Sequence, residues 1–455
     1  MRQLFTILLL SLSCLILAQE KPDSITAVIR DADTGAPIQY ASVYVSYSCG
    51  TISNYDGEFC LQCLPDDVLR ISCIGYRHVS VKASELPDVI RMKPIATELK
   101  EVTVTRDDDI LYRLVTKMQK EAKKNRKTEA QYFLRMTTQY PGTDELAEAF
   151  MSAKSCVQIR DITFHSGNRG QLKESVIEGP SLTGLGRTNM HIFLRLSPVL
   201  VNYDIWNFTF VPADIVFRRM KNLYELSCVR FTEEDGTEIS KIKVTANPAV
   251  TNSHPMLDGT LYIDRKKCRL LRFDGEIHGL QIVLYDQARE QYIVSGVQYT
   301  MHVDYRHDHG FTEIASMSGT LSKDSVTVRQ LLFNIGDKNL NFNKSVRVKD
   351  NMIRAIDEVG FDSVLWTMSN IVKRTQAEER VAFKDAAFRS SGKSKYNTAP
   401  TEQEKNANMY LSNAIRQLMG NTMPLQRGLP PKSQNKKKTG SSSPFILRVR
   451  PLKSF

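Results

Sequence analysis

Residues 19–105 consist of short runs in which apolar and polar side chains alternate, and a turn signal follows almost every run. In the run YASVYVSY, Val43 and Val45 alternate with Ser42, Tyr44 and Ser46, as they do when successive side chains of a strand point to opposite faces. The dipeptide Asp56-Gly57 is typical of the tight turn of a hairpin. About seven such runs, with no helical periodicity among them, predict a seven-stranded β-sandwich.

Several segments of this region resemble a known domain family. GAPIQYASVYV, GTISNYDGEF, LRISCIGYRHVSV, IRMKP and ELKEVTVT are similar in content and order to the carboxypeptidase-regulatory-like domain, a transthyretin-like sandwich, over residues 25–105. The resemblance implies a protein of the Gram-negative bacterial envelope, where this module is frequently N-terminal. It implies no peptidase activity, because the related domain of metallocarboxypeptidases holds no catalytic residue. The chain also lacks the H-x-x-E and H-E-x-x-H spacings that bring zinc ligands and a base together.

A C-x-x-C motif at Cys60 and Cys63 lies within a predicted strand. Side chains three positions apart on a strand point to opposite faces, so these thiols are poorly placed to ligate one metal ion. A thioredoxin-type pair also needs its first cysteine at a helix N-terminus, where the thiol pKa falls. We therefore expect no metal or redox site. Disulfides and buried free thiols both remain open, and the sequence selects no pairing among Cys49, Cys60, Cys63 and Cys73.

The N-terminus has the pattern of a secretory signal peptide over residues 1–18. Arg2 precedes an apolar run that ends at Ala18 and is too short to span a bilayer. Lipid modification of Cys14 is the alternative, although Ser-Leu-Ser before this cysteine fits a lipobox poorly. No later segment has about 18 consecutive apolar residues, the length that a membrane-spanning helix needs. We expect an exported protein, located in the periplasm or at the periplasmic face of the outer membrane.

Positive charge is concentrated in the tail, residues 391–455. The formal net charge of the chain is +11, and only Glu402 and Glu404 oppose the lysines and arginines of the tail. Because an export signal argues against nucleic acid as a partner, we expect a largely disordered tail or one that contacts an anionic membrane surface. Two structured elements are predicted in it: an amphipathic helix that ends at Gly420, and the final segment PFILRVRPLKSF as an edge strand or membrane contact.

Residues 106–390 predict an α+β domain, and the chain as a whole is therefore expected to be mainly β. The segment VQYTMHVDY alternates strictly, with Met301 and Val303 on one face and His302 and Asp304 on the other. One apolar and one polar face fit an antiparallel sheet that is backed by an early helix. Three aspartates, 107 to 109, favour the start of that helix, and its apolar stripe consists of Ile110, Leu111, Leu114, Val115 and Met118. TNMHIFLRLSPVL is predicted to insert a helix or an irregular flap.

Two further resemblances concern this second domain. AEAFMSAKSCVQIRDITFHSGNRG, FLRLSPVL and LWTMSNIVKRTQAEERVAF resemble blocks of uncharacterised bacterial proteins that carry the same N-terminal module. A helix followed by a meander that contains GTLYIDRKKCRLLRF is similar to the half-barrel of periplasmic lipoprotein carriers. That similarity implies acyl chains on a concave apolar face. Ordinary packing of the sheet against its helix is the other interpretation.

The histidine-rich segment HVDYRHDHG is the candidate for metal chemistry. His307 and His309 are two residues apart, so on a strand they would share a face and could bind one metal ion. His302 and Asp304 have the opposite parity, so a set of three ligands would need a bend or an outside residue. The other interpretation of the segment is the polar end of a hairpin.

The segment NIVKRTQAEERVAF is predicted to be helical. Arg374 and Glu378 would then form an i,i+4 ion pair on a face that is either solvated or a docking surface. Trp366 and Phe361, just before the segment, are expected to anchor this helix on the sheet.

We interpret the chain as an exported, non-catalytic envelope protein that binds a protein or glycan partner at the periplasmic face of the outer membrane. This interpretation rests on the signal peptide, on the first module and on the lack of a nucleophile elbow, phosphate loop or Rossmann fingerprint. A carrier of lipid or another apolar ligand in the second domain is one alternative. A metal-dependent hydrolase that uses His307 and His309 is the other. No catalytic, cofactor-binding or metal-ligating residue is assigned, and no cofactor is expected.

Overall fold

The computed structural model describes most of both predicted domains. The described residues are 23–46, 49–95, 110–124, 128–140, 143–155, 160–173, 224–247, 256–285, 291–308, 311–323, 326–336, 342–348, 352–368, 371–389 and 447–448. The chain divides into two compact units. The first comprises residues up to Ile95 together with Met368–Thr375, and the second comprises Ala96–Thr367 and Gln376–Phe455. Within the described residues, no helix has the length and apolar character needed to cross a membrane.

The first unit is the predicted β-sandwich. Its strands are β1 (Asp23–Asp31), β2 (Ser42–Ser46), β3 (Cys49–Ile52), β4 (Glu58–Cys63), β5 (Val68–Ser72), β6 (Val79–Lys82) and β7 (Val89–Met92). They form two sheets, β4-β1-β7 and β3-β2-β5-β6. All neighbours are antiparallel except β1 and β7. The seven described strands confirm the prediction made from the alternating runs.

The core of the sandwich follows the alternation of the sequence. On β4, Phe59, Leu61 and Cys63 are buried, and the residues between them are partly exposed. Leu69 and Ile71 of β5 are buried in the same cluster. Because every second side chain enters the core, each short strand contributes only two or three side chains, and the hydrophobic burial of all the strands together stabilises the sandwich.

The turn at Asp56-Gly57 is present, but it is not the turn of a hairpin. Strands β3 and β4, which flank it, belong to different sheets, so the turn carries the chain from one layer to the other. Gly57 has a φ of +76°, and a Cβ at this position would lie 2.5 Å from the main-chain oxygen of Ile29. The predicted hairpin is therefore wrong in its pairing, because the core requires β4 beside β1.

The second unit is built on one large antiparallel sheet. Its helices are α1 (Ile110–Lys124), α2 (Met352–Val359), α3 (Ser363–Met368) and α4 (Gln376–Arg389). Its strands are β8 (Thr128–Tyr140), β9 (Thr143–Ser155), β10 (Arg160–Lys173), β11 (Tyr224–Thr232), β12 (Glu238–Ala246), β13 (Met256–Asp264), β14 (Arg269–Tyr285), β15 (Gln291–Asp308), β16 (Phe311–Lys323), β17 (Val326–Asn334), β18 (Val346–Arg347) and β19 (Leu447–Arg448). Among these residues, the sheet order is β11-β12-β13-β14-β15-β16-β17-β8-β9-β10-β18.

The predicted sheet with one apolar face, and the helix that backs it, are both confirmed. On β15, Tyr299, Met301, Val303 and Tyr305 are buried and the residues between them are not. The segment EEDG, residues 233–236, forms the turn that joins β11 to β12, and its Gly236 has a φ of +82°.

The apolar stripe of helix α1 is shifted by comparison with its prediction. Leu111, Val115 and Met118 are buried as expected, but Ile110 is 60% exposed. Tyr112 is buried in its place, and its hydroxyl donates a hydrogen bond to the main-chain oxygen of Tyr224 over 2.8 Å. A tyrosine enters an apolar core at low cost when its hydroxyl finds such a partner.

Strand β9 is an element that composition alone does not reveal. TDELAEAFMSAKS is rich in residues with high helix propensity, yet it pairs with β8 and β10 along its whole length. Ala147, Ala149, Met151 and Ala153 alternate into the core of the sheet. Pairing with a strand on each side, together with the burial of these side chains, overrides the local preference for helix.

The helix predicted over NIVKRTQAEERVAF begins later than expected. Residues 371–375 form neither helix nor strand, and α4 starts at Gln376. Arg374 therefore lies outside α4, and the prediction that it shares a helix with Glu378 is wrong. Trp366 packs against Phe133 and Phe150 of the sheet, as the anchoring role predicted for it requires.

Several predictions concern residues that the structure does not describe. They are the signal peptide and Cys14, the family-like segment ELKEVTVT, the flap TNMHIFLRLSPVL, His309 and the amphipathic helix of the tail. Of the final segment, Leu447 and Arg448 are described. They pair in parallel with Ile282 and Val283 of β14, as the interpretation of this segment as an added strand predicts.

Candidate functional site

A short segment from late in the chain completes the first unit. Residues Met368–Thr375 cluster with the sandwich, whereas the chain from Gln376 onward belongs to the second unit. We call residues 371–375 the strap. The strap contacts the sandwich at residues more than 300 positions earlier in the sequence.

The sandwich holds the main chain of the strap with two side-chain donors. Thr51 Oγ1 donates a hydrogen bond to the carbonyl oxygen of Ile371 over 3.4 Å. Asn54 Nδ2 donates to the carbonyl oxygen of Lys373 over 3.3 Å. Every residue type offers a main-chain carbonyl, so these two contacts select a backbone conformation rather than a sequence.

Local hydrogen bonds fix the orientation of Asn54. Its Oδ1 accepts the main-chain N–H groups of Asp56 and Glu58, each over 2.9 Å. Its own N–H donates to the carbonyl oxygen of Glu58 over 2.8 Å. The two hydrogen bonds to Oδ1 hold the carboxamide in one orientation. Nδ2 is therefore directed at the strap by the loop itself, independently of its hydrogen bond to the strap.

Two side chains of the strap are also held in place, one by burial and one by an ion pair. Val372, between the two held carbonyls, has no solvent exposure. The Lys373 ammonium lies 2.9 Å from Glu58 Oε2, and each side chain is about one-third exposed. An ion pair with this exposure contributes up to about 1 kcal/mol. The arrangement can bind a short polypeptide segment through two carbonyls and one ammonium group.

The C-x-x-C motif lies next to this region but forms no shared site. Cys63 is buried in the core, and Cys60 lies on the opposite face of β4, with its sulfur 3.0 Å from Ser24 Oγ. This arrangement confirms the prediction of opposite faces. Burial raises the pKa of the Cys63 thiol to about 11. None of the cysteines in the described part of the chain, which include Cys49 and Cys73, forms a disulfide.

His302, which belongs to the sequence-predicted candidate cluster, is held between two carboxylates. Its Nε2 lies 3.0 Å from Asp304 Oδ2, its Nδ1 bonds Asp274, and Arg272 Nε donates to Asp304 Oδ1 over 2.7 Å. Burial lowers the pKa of His302, but the charge of Asp304 and the hydrogen bonds to both carboxylates outweigh it and raise the pKa to about 9. Both ring nitrogens of the imidazolium are donors, so neither has a lone pair for a metal ion.

His307 has a different partner from His302. Its Nε2 donates to the main-chain oxygen of Leu270 over 2.7 Å, and burial lowers its pKa. Within the described ranges, which omit His309, no group of three or more histidine, cysteine, aspartate or glutamate side chains is placed to hold a metal ion. The structure therefore does not bring His302, Asp304 and His307 together as a ligand set.

Sequence analysis did not identify His165, which joins three elements of the second unit. Its Nε2 lies 2.9 Å from Ser152 Oγ of β9, and its Nδ1 lies 2.8 Å from Ser345 Oγ. The ring stacks on Phe342 at 3.6 Å between centroids. Burial lowers the pKa of His165 to about 4. The partners are separated from it by 13 and 180 residues, and no local pattern signals such a cluster.

The large sheet has one continuous apolar face. Leu226, Ile242, Leu261, Phe273 and Met301 follow one another across adjacent strands and are all buried. Helix α1 adds Leu111, Val115 and Met118 to the same cluster. A face of this kind can be a core, and it can also hold an apolar ligand when the elements that cover it move.

On the opposite face of the sheet, a buried ion pair stands among aromatic rings. Arg135 Nε donates to Glu148 Oε1 over 2.7 Å, and both side chains are almost completely buried. Glu378 of α4 lies 3.4 Å from the same guanidinium. Each charge has a partner, so the pair fastens α4 to the sheet and leaves no charged group directed at a substrate.

Comparison with known proteins identifies the first unit. Residues 25–104 match the family model of the CarboxypepD_reg-like domain, which confirms the resemblance noted in the sequence. The comparison with curated proteins gave no match.

Among solved structures, three similarities concern about half of the chain. A DUF1329 family protein from Desulfovibrio piger is 12% identical, with 50% of this chain and 93% of that chain covered, at a TM-score of 0.19. A putative outer membrane lipoprotein-sorting protein domain from Vibrio parahaemolyticus is 8% identical, with 50% and 96% covered, at 0.17. The MucA/MucB complex of Pseudomonas aeruginosa is 8% identical, with 55% and 96% covered, at 0.17. At such TM-scores the likeness supports no conclusion about this chain.

Proposed function

We propose that the chain is an exported, non-catalytic protein of the bacterial envelope that binds another protein through its N-terminal sandwich. The observation that carries this proposal is the strap: the sandwich binds a polypeptide segment through Thr51, Asn54 and Glu58. The CarboxypepD_reg-like match and the signal-peptide pattern of the N-terminus support an envelope location. The periplasmic face of the outer membrane is where we place it.

The chemistry of the strap site favours a protein partner over a glycan. Its donors bind main-chain carbonyls, Glu58 binds an ammonium group, and the aliphatic side chain between the two held carbonyls is buried. A neutral glycan offers hydroxyl groups and flat sugar faces, which call for aromatic platforms and planar polar side chains. The contacts that the strap makes match a peptide.

Site-specific photo-crosslinking in the native host tests this proposal. A photoreactive amino acid replaces Asp56, which is exposed in the loop beside the strap, and a control variant carries it at exposed Lys82 of β6. We expect the Asp56 position, and not the Lys82 position, to capture one defined envelope polypeptide. Equal yields of the same product from both positions, or no product from either, would contradict the proposal.

A second candidate function is transport of an apolar ligand by the second unit. The observation that favours it is the continuous apolar face of the large sheet. Native mass spectrometry of residues 19–455, gently extracted from the envelope, tests it. An added mass that matches a lipid and disappears in a Met301→Lys variant of unchanged secondary structure would support the carrier function, and a protein free of added mass would count against it.

A further inference from the structure

We propose that the strap site recognises a partner segment in which an aliphatic residue is followed by lysine, and that the strap occupies this site as a competing ligand within the same chain. This inference rests on the proposed function and specifies the chemistry of its partner. The strap itself supplies the pattern: the sandwich contacts Ile371 and Lys373, and Val372 between them has no solvent exposure.

The spacing of the two held carbonyls defines the backbone of the ligand. The carbonyl groups of residues 371 and 373 both face the sandwich. The side chain of residue 372, between them, is buried. Carbonyl groups two residues apart point the same way in a β-like chain. A partner is therefore expected to bind as a short extended segment, a recognition mode in which the main chain provides affinity and alternate side chains provide specificity.

Two features of the site select side chains. The position of Val372 excludes water, so a charged residue there would lose its hydration without compensation. Glu58 lies within 2.9 Å of the ammonium, so a glutamate in place of the lysine would set two carboxylates against each other. Asn54 selects no side chain and holds any sequence of suitable backbone conformation.

The hold on the strap is weak enough for exchange. The two hydrogen bonds, at 3.4 and 3.3 Å, are longer than the usual range for such donors, and the ion pair is partly exposed. The strap competes because it is covalently tethered and so has a high effective concentration. A partner that makes the same contacts and additional ones can displace it.

A peptide-binding measurement tests this inference. The probe is a fluorescent peptide SNIVKRTQ with blocked ends, and the protein is the mature chain, residues 19–455, as wild type and as Lys373→Glu. The variant weakens the strap and leaves the site intact, so we expect it to bind the probe at least about tenfold more tightly than the wild type does. Circular dichroism of both proteins controls for folding.

Charge reversal provides the matched control. We expect the peptide SNIVERTQ to bind the Lys373→Glu protein at least about tenfold more weakly than SNIVKRTQ, and to regain affinity for the Glu58→Lys single variant, whose new cation repels Lys373 of the strap and pairs with the peptide glutamate. Absence of probe binding to the Lys373→Glu protein, or equal binding of the two peptides, would overturn the inference. A wild-type dimer that the probe dissociates would assign the site to the strap of a second copy and would also overturn it.

The failure of this inference is distinguishable from the failure of the proposed function. If Asp56 still captures an envelope protein and the capture is insensitive to Glu58→Lys, the sandwich binds its partner elsewhere and the lysine motif is wrong. If Asp56 captures nothing and SNIVKRTQ nevertheless binds the Lys373→Glu protein, the strap site is a peptide site with no partner in the envelope, and the proposed function is wrong.

Discussion

Asn54 donates its side-chain amide to the main-chain oxygen of Lys373, 3.3 Å away in space and 319 residues away in sequence. The same side chain accepts two N–H groups of its own loop. One residue therefore shapes the turn between the two sheets of the sandwich and binds the strap. The two roles use different atoms of the carboxamide, so substitution can separate them.

We expect Asn54→Asp to release the strap and leave the loop intact. Aspartate keeps the oxygen that accepts the N–H groups of Asp56 and Glu58 and loses the amide that donates to Lys373. Trypsin should cleave after Lys373 or Arg374 several-fold faster than in the wild type, as followed by mass spectrometry. Asn54→Ala, the matched control, should in addition lower the free energy of unfolding by about 1–3 kcal/mol, because it also strands buried N–H groups. Unchanged cleavage in both variants would mean that Asn54 does not hold the strap.

Gly57→Ala should destabilise the sandwich severely. The φ of +76° disfavours any side chain, and a Cβ would lie 2.5 Å from the oxygen of Ile29. Gly35→Ala is the matched control, since its φ is +72° but no atom lies within 4 Å of a Cβ there. In urea unfolding we expect about 1 kcal/mol of destabilisation for Gly35→Ala and a clearly larger loss for Gly57→Ala. Equal losses would show that backbone conformation alone, without the close approach, sets the effect.

His165 should make the second unit sensitive to acid. Its pKa of about 4 in the folded protein lies below the ordinary value of 6.5, so the unfolded chain binds more protons between these values. The stabilisation that neutral His165 provides is therefore present above pH 6.5 and is lost as the pH falls towards 4, by up to about 3 kcal/mol. Urea unfolding at a series of pH values measures this loss. In His165→Gln the loss over this pH range should shrink, and an identical pH profile would refute the assignment.

His302 should act in the opposite direction. Its pKa of about 9 lies above the ordinary value of 6.5, so the folded protein retains a proton that the unfolded chain releases. The stabilisation is present in full below pH 6.5 and is lost as the pH rises through 9. His302→Gln should be less stable than the wild type at pH 6 and closer to it at pH 9.5. A difference that is constant across this range would indicate that the pair with Asp304 is not ionic.

Cys60 should react with iodoacetamide in the folded protein much faster than Cys63. The sulfur of Cys60 lies at the partly exposed face of β4, whereas Cys63 is buried and its pKa is raised to about 11. A thiol reacts as its thiolate, so burial and the raised pKa both slow the reaction of Cys63. Peptide mapping after a short exposure measures the ratio. In urea, where both thiols are accessible, the two cysteines should be labelled equally. Similar labelling of both cysteines in the native state would contradict the assigned faces.

Local patterns determined much of the architecture. The alternation of VQYTMHVDY assigned the buried face of β15, and the aspartates before Ile110 marked the start of α1. These features were predictable because each depends on the period of a strand or helix, or on the conformational preference of one or two residues. The faces of Cys60 and Cys63 followed from the same period.

Tertiary structure decided what no local pattern carries. β9 is a strand because two neighbours pair with it. The turn at Gly57 joins two sheets because the core requires β4 beside β1. Residues 371–375 are not part of the predicted helix because the sandwich holds them. The strap site and the His165 cluster both join residues that are far apart in the chain. Such contacts depend on which surfaces pack together after folding. The free energy of that tertiary packing outweighs the small local propensities of the sequence for helix or strand.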